Sequence, residues 1–234
     1  MSKDNFFIVI EGLDGVGKTY ISNLLVRSLR ASLGDSKVKI TNEPHEQSCA
    51  GIYIRQVLAK QINTTSKLLA TAFASNRLDH CHRDIEPFLN DKRTKNRVVI
   101  CDRYYLSSLV YQSQNEITMN YIWELNRGSL SPELILFLDA SNKICRERMK
   151  VRAQDRELFE KNIGETRQKY YDAIDFLEKK EEFEGKIVPI KSDGSVEDVY
   201  NKISDVFSKY GPEWLVIQRP LFDYNVFSLN FSFR

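Results

Sequence analysis

The stretch "GLDGVGKT" at residues 12–19 brings together three glycines and a lysine directly after the apolar run "FFIVIE". Glycine loses backbone entropy in a strand or helix, but it permits positive φ angles and lets the backbone approach a ligand closely. The stretch fits G-x-x-x-x-G-K-[ST], in which successive N–H groups and the start of a helix face an anion. It therefore predicts a phosphate-binding loop (P-loop) that connects a strand to a helix.

The side chains of this loop suggest separate roles. Lys18 can bring a mobile positive charge to the β- and γ-phosphates of a nucleotide, and the Thr19 hydroxyl can bind Mg²⁺. An acidic residue is unexpected in a loop whose ligand is negative, so the role of Asp14 has to come from another group. The remaining contacts to ATP are predicted from the loop as a whole, at Gly12, Leu13, Asp14, Gly15, Val16 and Gly17.

Short apolar runs alternate with amphipathic ones along the rest of the chain. The strand-like runs lie at 5–11, 37–41, 97–101, 133–139 and 186–190. A helix that ends near Gly34 follows the loop, and further helices are predicted at about 50–60, 65–90, 105–127, 141–150, 157–182 and 195–209. This alternation predicts the α/β class, with a five-stranded parallel sheet covered by helices on both faces, the three-layer α/β/α fold of P-loop kinases. Ligands of such sheets bind beyond the carboxyl ends of the strands.

The composition argues against several classes of partner. The chain has 234 residues and a net charge of only +2, so we expect no broad basic surface for nucleic acid. No apolar stretch approaches the ~18 residues of a membrane span, and the first residues lack the shape of a signal peptide. The cysteines lack zinc-site spacing, even where His80 and His82 flank one of them, so reduced thiols in a cytoplasmic protein are predicted. They are Cys49, Cys81, Cys101 and Cys145.

Two charged segments follow predicted strands and should lie at the ligand-binding edge of the sheet. Asp102 ends the third strand, where a carboxylate can hold the Mg²⁺ shell, and Arg103 offers a planar fork that suits a phosphate. A basic cluster follows the fourth strand, at Arg146, Arg148, Lys150, Arg152 and Arg156. These cations predict a lid at about residues 146–157 that closes on the transferring phosphate, although a solvated helix face with local ion pairs has the same pattern.

Three classes of P-loop protein are compatible with the loop alone: a GTPase switch, a motor or regulatory ATPase, and a small-molecule kinase. A GTPase should carry Asn-Lys-x-Asp after a strand, and "SNKIC" at 141–145 lacks the aspartate. A motor or regulatory ATPase would usually be longer or carry partner modules. A kinase needs an acceptor site and mobile cations, and this chain offers candidates for both.

With these segments in order, the chain resembles the thymidylate kinase family from about Phe6 to Lys209, nearly its whole length. "EGLDGVGKT" resembles the family's phosphate loop, and "NEPHEQSCAGIYIRQVL" at 42–58 its Glu-Pro loop and following helix. "FASNR" at 73–77 resembles its base-binding segment. "DRYYLSSLVYQ" at 102–112 is close to its Asp-Arg-Tyr signature, where deoxynucleoside kinases typically have Glu-Arg-Ser. The ordered set carries the resemblance, rather than any single part.

The resemblance implies a binding site for dTMP. Phe73 would stack on thymine and Arg77 would bind the polar edge of the base, and their four-residue spacing suits one face of a helix. Arg103 would hold the acceptor phosphate, and Asp14 would accept a hydrogen bond from the 3′-hydroxyl of the sugar. The rest of the pocket would come from Arg55, Ser108, Tyr111 and Gln112.

The resemblance also implies a reaction, the transfer of the γ-phosphoryl group of ATP to dTMP to give dTDP and ADP, a step in dTTP synthesis. Mg²⁺ would be the cofactor, held by Thr19 and indirectly by Asp102, and the assembly would be a homodimer. Family members without a basic residue at the position of Val16 carry arginines in the lid instead. The residues implied in catalysis are therefore Lys18, Arg103, Arg152 and Arg156.

Some positions depart from the family pattern. Asn42 stands where many members have arginine, and His45 and Glu46 replace small residues after the Glu-Pro pair. These departures leave open a related kinase of another nucleoside or nucleoside monophosphate. A nucleotide-binding protein without turnover is a separate alternative, against which the intact Lys18, Thr19, Asp102 and Arg103 argue. Residues 1–209 are predicted to form the kinase domain, and 210–234 an apolar tail without an assigned role.

Overall fold

A five-stranded parallel sheet in the order β2-β3-β1-β4-β5 forms the centre of the protein. A computed structural model of the chain describes residues 4–114, 116–151 and 162–218. The strands lie where the sequence predicts them, which confirms the α/β class. They are β1 (Asn5–Gly12), β2 (Val38–Asn42), β3 (Arg97–Asp102), β4 (Leu134–Asp139) and β5 (Lys186–Lys191).

Helices connect successive strands and cover both faces of the sheet, because each link between parallel strands must cross over it. They are α1 (Lys18–Leu33), α2 (Cys49–Leu58), α3 (Ser66–His80), α4 (Glu86–Leu89), α5 (Tyr105–Tyr111), α6 (Met119–Asn126), α7 (Asn142–Val151), α8 (Ile163–Glu178) and α9 (Val196–Tyr210). A 3₁₀ turn, Asp35–Lys37, precedes β2. None of the helices in the described part of the chain is long and apolar enough to cross a membrane.

The central strands are buried on both faces, which explains their unbroken apolar sequences. Side chains from Phe7 to Ile10 of β1 have no exposed surface, and the same holds for Leu134 to Leu138 of β4. Strands covered on both faces need no alternation of polar and apolar residues. Burial on this scale fixes the end of β1, and the phosphate loop leaves the sheet from that fixed point.

Two helix predictions differ from the structure, and part of a third lies outside the described residues. The predicted helix 105–127 is broken into α5 and α6, because the Thr118 hydroxyl accepts a hydrogen bond from Tyr121 N and starts a new helix there. The predicted helix 65–90 contains a π-helical turn, Cys81–Ile85, between α3 and α4. The predicted helix 157–182 is described as α8 only, since residues 152–161 lie outside the described residues.

The first part of the predicted tail contacts the domain. The carbonyl oxygen of Gln218 accepts hydrogen bonds from Ser28 Oγ at 2.5 Å and from Tyr200 Oη at 2.9 Å. Leu215 is buried in the main hydrophobic core. Residues 219–234 lie outside the described residues.

Candidate active site

A cleft of about 1290 Å³ opens at the carboxyl ends of β1, β2 and β3. This is the edge at which a parallel α/β sheet places its ligands. The cleft brings the phosphate-loop candidates and the acceptor-site candidates together. The predicted site residues that line it are Asp14, Gly15, Gly17, Lys18, Thr19, Arg55, Phe73, Arg77, Asp102, Arg103, Ser108, Tyr111 and Gln112.

The backbone of the phosphate loop has the geometry that its glycines suggest. Gly15 and Gly17 have φ angles of 84° and 98°, in the left-handed region that favours glycine. A Cβ at Gly15 would lie 2.7 Å from the carbonyl oxygen of Cys145, so α7 leaves no room for a side chain there. Gly17 directly precedes α1, and the loop therefore ends at a helix N-terminus, a favourable position for phosphate.

Three predicted ATP contacts lie beneath the loop rather than in the cleft. Leu13 and Val16 are only 3% and 2% exposed and belong to the hydrophobic core. A Cβ at Gly12 would lie 2.4 Å from the carbonyl oxygen of Leu138. The side chains of Leu13 and Val16 support the loop, and at all three positions only backbone groups remain for a nucleotide.

The ammonium group of Lys18 is buried within the loop. Its Nζ donates hydrogen bonds to the carbonyl oxygens of Gly12 at 3.0 Å and Leu13 at 2.8 Å. Burial and the like charge of Arg103 lower the pKa of Lys18, while Asp14 opposes that shift. This position keeps a cation inside the loop.

Thr19 and Asp102 form a hydrogen-bonded pair at the end of β3. The Thr19 hydroxyl donates to Asp102 Oδ2 at 2.8 Å. The other carboxylate oxygen, Oδ1, is buried and has no hydrogen-bond partner among the described residues. Buried polar atoms normally have a partner, and hydroxyl and carboxylate oxygens are the donors that Mg²⁺ prefers. The pair therefore fits a magnesium ion and its water shell.

Asp14 lies between two cations. Its carboxylate forms an ion pair with Arg103 and lies 3.4 Å from Lys18 Nζ. Burial alone would raise the pKa of Asp14, but the charges of Arg103 and Lys18 outweigh it and hold the pKa well below its usual range. The acidic residue of the loop therefore connects Lys18 of the loop to Arg103 after β3.

Arg103 has an unusual backbone conformation. Its φ angle is 69°, which is uncommon for a residue with a Cβ, and its N–H donates to Ile10 O at 2.9 Å. Its Nη1 donates to Ser107 Oγ at 2.9 Å and to Tyr170 Oη at 3.3 Å. The guanidinium carbon lies 5.4 Å from the ring centroid of Tyr111. These contacts fix the guanidinium beside the phosphate loop.

Arg77 is almost completely buried at the other end of the cleft, with 1% of its surface exposed. Its Nε donates to Glu43 Oε2 at 2.7 Å, Nη2 donates to Ser108 Oγ at 3.1 Å, and Nη1 donates to Asn126 Oδ1. Phe73, one helical turn earlier, lines the same cleft. Helix α3 therefore presents an aromatic ring and a fixed charged donor together, as the four-residue spacing predicts.

Asn76 holds the loop that follows β2. Its side chain accepts a hydrogen bond from His45 N and donates one to His45 O, both at 2.8 Å. Helix α2 passes so close that a Cβ at Gly51 would lie 1.9 Å from His45 O. Arg55 of α2 forms an ion pair with Glu46 of the same loop. The loop is thus tied to α2 and α3, the two helices that carry predicted acceptor contacts.

A second group of possible metal ligands lies behind this loop. Donor atoms of His45, His80 and Asp84 all lie within 4.8 Å of one another. The two imidazole rings are stacked at an interplanar angle of 10°, so their nitrogen lone pairs lie in nearly parallel planes and do not meet at one ion. His80 Nδ1 already contacts Glu43 at 3.2 Å, and Lys39 forms an ion pair with Asp84. The group supports Glu43 and lacks the geometry of a metal centre.

The basic cluster after β4 is described only in part. Arg146 and Arg148 belong to α7, and Arg148 donates to the carbonyl oxygens of Val16 and Ser192, both at 3.1 Å. This arginine therefore bridges the phosphate loop and the segment after β5. The predicted catalytic residues Arg152 and Arg156 lie outside the described residues.

Several side chains that hold the site were not singled out from the sequence. Glu11 and Tyr170 contact the group around Arg103, and Glu43 and Asn126 hold Arg77. The acidic residue after β2 was recognisable, because it follows a strand at the ligand edge of the sheet. The tyrosine gave no signal, because it lies on a helix far along the chain.

Known proteins similar to this chain are described as thymidylate kinases. A family model described as thymidylate kinase matches residues 10–203. The probable thymidylate kinase of Methanocaldococcus jannaschii is 35% identical over 202 residues, which is 86% of this chain and 94% of that protein. The probable thymidylate kinase of Pyrococcus horikoshii is 31% identical over 202 residues, with coverage of 85% and 93%.

Solved structures are similar to this fold as well. The thymidylate kinase of Ehrlichia chaffeensis superposes with a TM-score of 0.63 at 24% identity, over 88% of this chain and 99% of that one. The thymidylate kinase of Candida albicans gives a TM-score of 0.69 at 21% identity, over 88% and 92%. At these identities the likeness concerns the fold.

Proposed function

The chain belongs to the thymidylate kinase family, and from this premise we propose that it transfers the γ-phosphoryl group of ATP to dTMP, giving dTDP and ADP. The observation that carries the proposal is that the family match at 10–203 includes every residue lining the cleft. In that cleft a phosphate loop faces a second set of polar side chains. Phosphoryl transfer requires little covalent chemistry from the protein, so positioning and charge stabilisation decide the rate.

The donor phosphates bind in the loop. Backbone N–H groups from Gly12 to Gly17 and the start of α1 surround them, because these groups face an anion at a helix N-terminus. Lys18 leaves its carbonyl partners and contacts the β- and γ-phosphates. Its positive charge then offsets the charge that develops during transfer.

Thr19 and Asp102 would hold Mg²⁺, the first directly and the second through bound water. The unpaired Oδ1 of Asp102 supports this assignment. A Mg²⁺ ion held there would supply positive charge that offsets the negative charge of the phosphates.

The acceptor phosphate binds to Arg103, whose fork suits two phosphate oxygens. Its position beside the loop orients dTMP in line with the γ-phosphate. The phosphate competes with Asp14 for the guanidinium, and Asp14 then accepts a hydrogen bond from the 3′-hydroxyl. Asp14, a residue of the ATP-binding loop, thus also takes part in binding dTMP.

The thymine base lies in the cleft between Phe73 of α3 and the side chains of α5. Arg77 donates to the polar edge of the base, and its orientation is set in advance by Glu43 and Asn126. Preorganisation of this kind reduces the entropy lost on binding. The remaining contacts to dTMP are assigned to Arg55, Ser108, Tyr111 and Gln112.

The lid, the domain bounds, the location and the assembly are assigned from the resemblance to the family. A lid at about residues 146–157 closes over the phosphates, excludes water and brings in Arg152 and Arg156. Residues 1–209 form the kinase domain, and the tail at 210–234 has no assigned role. The enzyme works as a cytoplasmic homodimer without nucleic acid or membrane partners.

Product analysis tests the function. Purified protein with ATP, Mg²⁺ and dTMP should yield dTDP and ADP in equal amounts, separated by anion-exchange chromatography. The Lys18→Ala variant is the control and should yield little of either. ADP without dTDP would identify a hydrolase, and the absence of both products would contradict the proposal.

A further inference from the structure

Glu11 is a buried acidic residue to which the reaction above gives no role. It is fully buried at the end of β1, one position before the phosphate loop. Its carboxylate does not line the cleft; it lies against the segment that follows β3. Burial raises the pKa of Glu11, and the Arg103 charge and the hydrogen bonds from Ser107 and Tyr104 oppose that rise. Burying a carboxylate is costly unless it is hydrogen-bonded, so the partners of Glu11 indicate what it stabilises.

Both carboxylate oxygens are hydrogen-bonded. Oε1 accepts from Tyr104 N at 2.8 Å and from Ser107 N at 2.9 Å. Oε2 accepts from Ser107 Oγ at 2.6 Å. Tyr170 Oη lies 3.4 Å from Oε2 and 3.1 Å from the carbonyl oxygen of Gly12, which is the nearer acceptor for its proton. The carboxylate is the acceptor in the bonds from Tyr104 N, Ser107 N and Ser107 Oγ.

The two backbone bonds hold the start of α5. Tyr104 directly precedes this helix and has no side-chain cap of its own. Glu11 supplies that cap from a different strand, since it satisfies N–H groups that a helix start leaves free. Arg103 comes immediately before Tyr104 and is bonded through its own N–H to Ile10. Strand β1 therefore fixes the backbone of Arg103 in its positive-φ conformation from both sides.

Two hydroxyl groups, those of Ser107 and Tyr170, connect Glu11 to the side chain of Arg103. The Ser107 hydroxyl gives its proton to Glu11 and therefore turns a lone pair toward Arg103 Nη1, 2.9 Å away. Tyr170 Oη likewise contacts both Glu11 Oε2 and Arg103 Nη1. The backbone and the guanidinium of one arginine thus depend on the same carboxylate.

We propose that Glu11 is a positioning residue for the acceptor phosphate, because it holds Arg103 through the start of α5 and through the Ser107 hydroxyl. This inference rests on the proposed function, since it requires Arg103 to bind the phosphate of dTMP. Glu11 itself touches neither substrate. Its effect should therefore appear only in the part of acceptor binding that the phosphate supplies.

A comparison of dTMP with thymidine tests this role, because thymidine has the same base and sugar without the phosphate. Glu11→Gln keeps the shape of the side chain but removes the charge and one acceptor. We expect the ratio of thymidine Kd to dTMP Kd, measured by calorimetry, to fall about tenfold or more. The Kd of thymidine and the KM of ATP should stay unchanged.

Two further variants sharpen the test. Ser107→Ala removes the hydroxyl link but leaves Glu11, and it should lower the same ratio by a smaller factor. The double variant should lose less than the product of the two single losses, since both act through one contact. Glu133→Gln is the matched control: Glu133 is a partly buried carboxylate that also accepts a backbone N–H, from Phe7 at 2.7 Å near the opposite end of β1. It should leave the ratio unchanged.

The outcomes separate this inference from the proposed function. An unchanged ratio in Glu11→Gln overturns the positioning role, provided that the wild-type protein phosphorylates dTMP. Equal losses for dTMP and thymidine also overturn it, because they indicate a general structural role. If Glu11→Gln does not fold, the Ser107→Ala variant provides the test. An unchanged ratio of thymidine Kd to dTMP Kd in that variant would then contradict the positioning role. A wild-type protein that does not phosphorylate dTMP contradicts the proposed function instead.

Discussion

Asp14 of the phosphate loop forms an ion pair with Arg103, the residue that follows β3. The two residues follow β1 and β3, which are adjacent parallel strands, so their contact joins the phosphate loop to the segment after β3. The carboxylate compensates the partly buried charge of the arginine. Under the proposed function, the acceptor phosphate would take over that partner, and the carboxylate would become available to the 3′-hydroxyl of the sugar.

This relationship predicts an asymmetric effect of Asp14→Ala. The variant should raise the KM for dTMP about tenfold or more, because it removes a charged hydrogen bond to the sugar and the partner that orients Arg103. The KM for ATP should change much less. Steady-state kinetics with each substrate varied in turn provides the measurement, and a larger effect on ATP would refute the role of Asp14 in acceptor binding.

The charge of Asp14 should not titrate in the working range of the enzyme. Its pKa is held below the usual carboxyl range by Arg103 and Lys18, against the effect of burial. The stabilisation from a lowered pKa is present above the unfolded value of ~3.9 and is lost only as the pH falls through the lower folded value. The ratio of wild-type to Asp14→Ala activity should therefore stay constant between about pH 5.5 and 8.5. A ratio that changes within this range would contradict the lowered pKa.

Lys18 and Arg103 should be the cations that turnover depends on most. Either alanine variant should lower kcat/KM by about a hundredfold or more, since each removes charge stabilisation of the transferring group. Arg93→Ala is the matched control, because Arg93 is an exposed arginine paired with Asp91 away from the cleft. Near-normal activity in either site variant would exclude its assigned role.

The pair of Thr19 and Asp102 should determine the requirement for magnesium. Thr19→Ala and Asp102→Asn should each raise the Mg²⁺ concentration for half-maximal activity by about tenfold or more. Thr19→Ser retains the hydroxyl and should stay close to wild type. Titration of activity with Mg²⁺ at fixed ATP checks this. The same half-saturation in Thr19→Ala and wild type would remove Thr19 from the metal site.

Gly51 should be essential for the loop after β2. A Cβ at this position would lie 1.9 Å from His45 O, a backbone atom that Asn76 holds in place. Gly51→Ala should lower the free energy of unfolding by about 2 kcal/mol or more through this overlap, and it should raise the KM for dTMP. Gly128→Ala is the control, because its nearest contact is the flexible end of Leu78 at 3.1 Å. Equal stability of both variants in urea denaturation would contradict the close packing.

The cysteines should differ sharply in reactivity. Cys49 is exposed, whereas the other three are buried, and burial raises the pKa of Cys81 and of Cys145 to about 11. The thiolate is the reactive form, so one thiol per chain should react quickly with Ellman's reagent at about pH 8 and four in denaturant. Rapid reaction of more than one thiol in the folded protein would be inconsistent with this burial.

The fold could be predicted from the sequence because its main signals are local. Each strand is a short apolar run, and the glycines of the phosphate loop report a backbone geometry directly. The break between α5 and α6 was missed, because the cap at Thr118 resembles an ordinary polar position inside a helical pattern. The π-helical turn after α3 likewise leaves no mark on the periodicity.

The candidate site was predictable wherever a residue follows a strand or lies one helical turn from another candidate. The supporting contacts were not, because they join residues far apart in the chain. Tyr170 meets Arg103 across 67 positions, and Arg77 meets Asn126 across 49. Such pairs arise only once the sheet order brings the segments together.

The acceptor preference tests the central claim most directly. ADP production should be measured by a coupled assay with dTMP, dUMP, CMP, GMP and thymidine as separate acceptors. We expect the highest kcat/KM for dTMP, with dUMP lower by a factor of about ten to two hundred because it lacks one methyl group. A higher kcat/KM for CMP, GMP or thymidine than for dTMP would contradict the account.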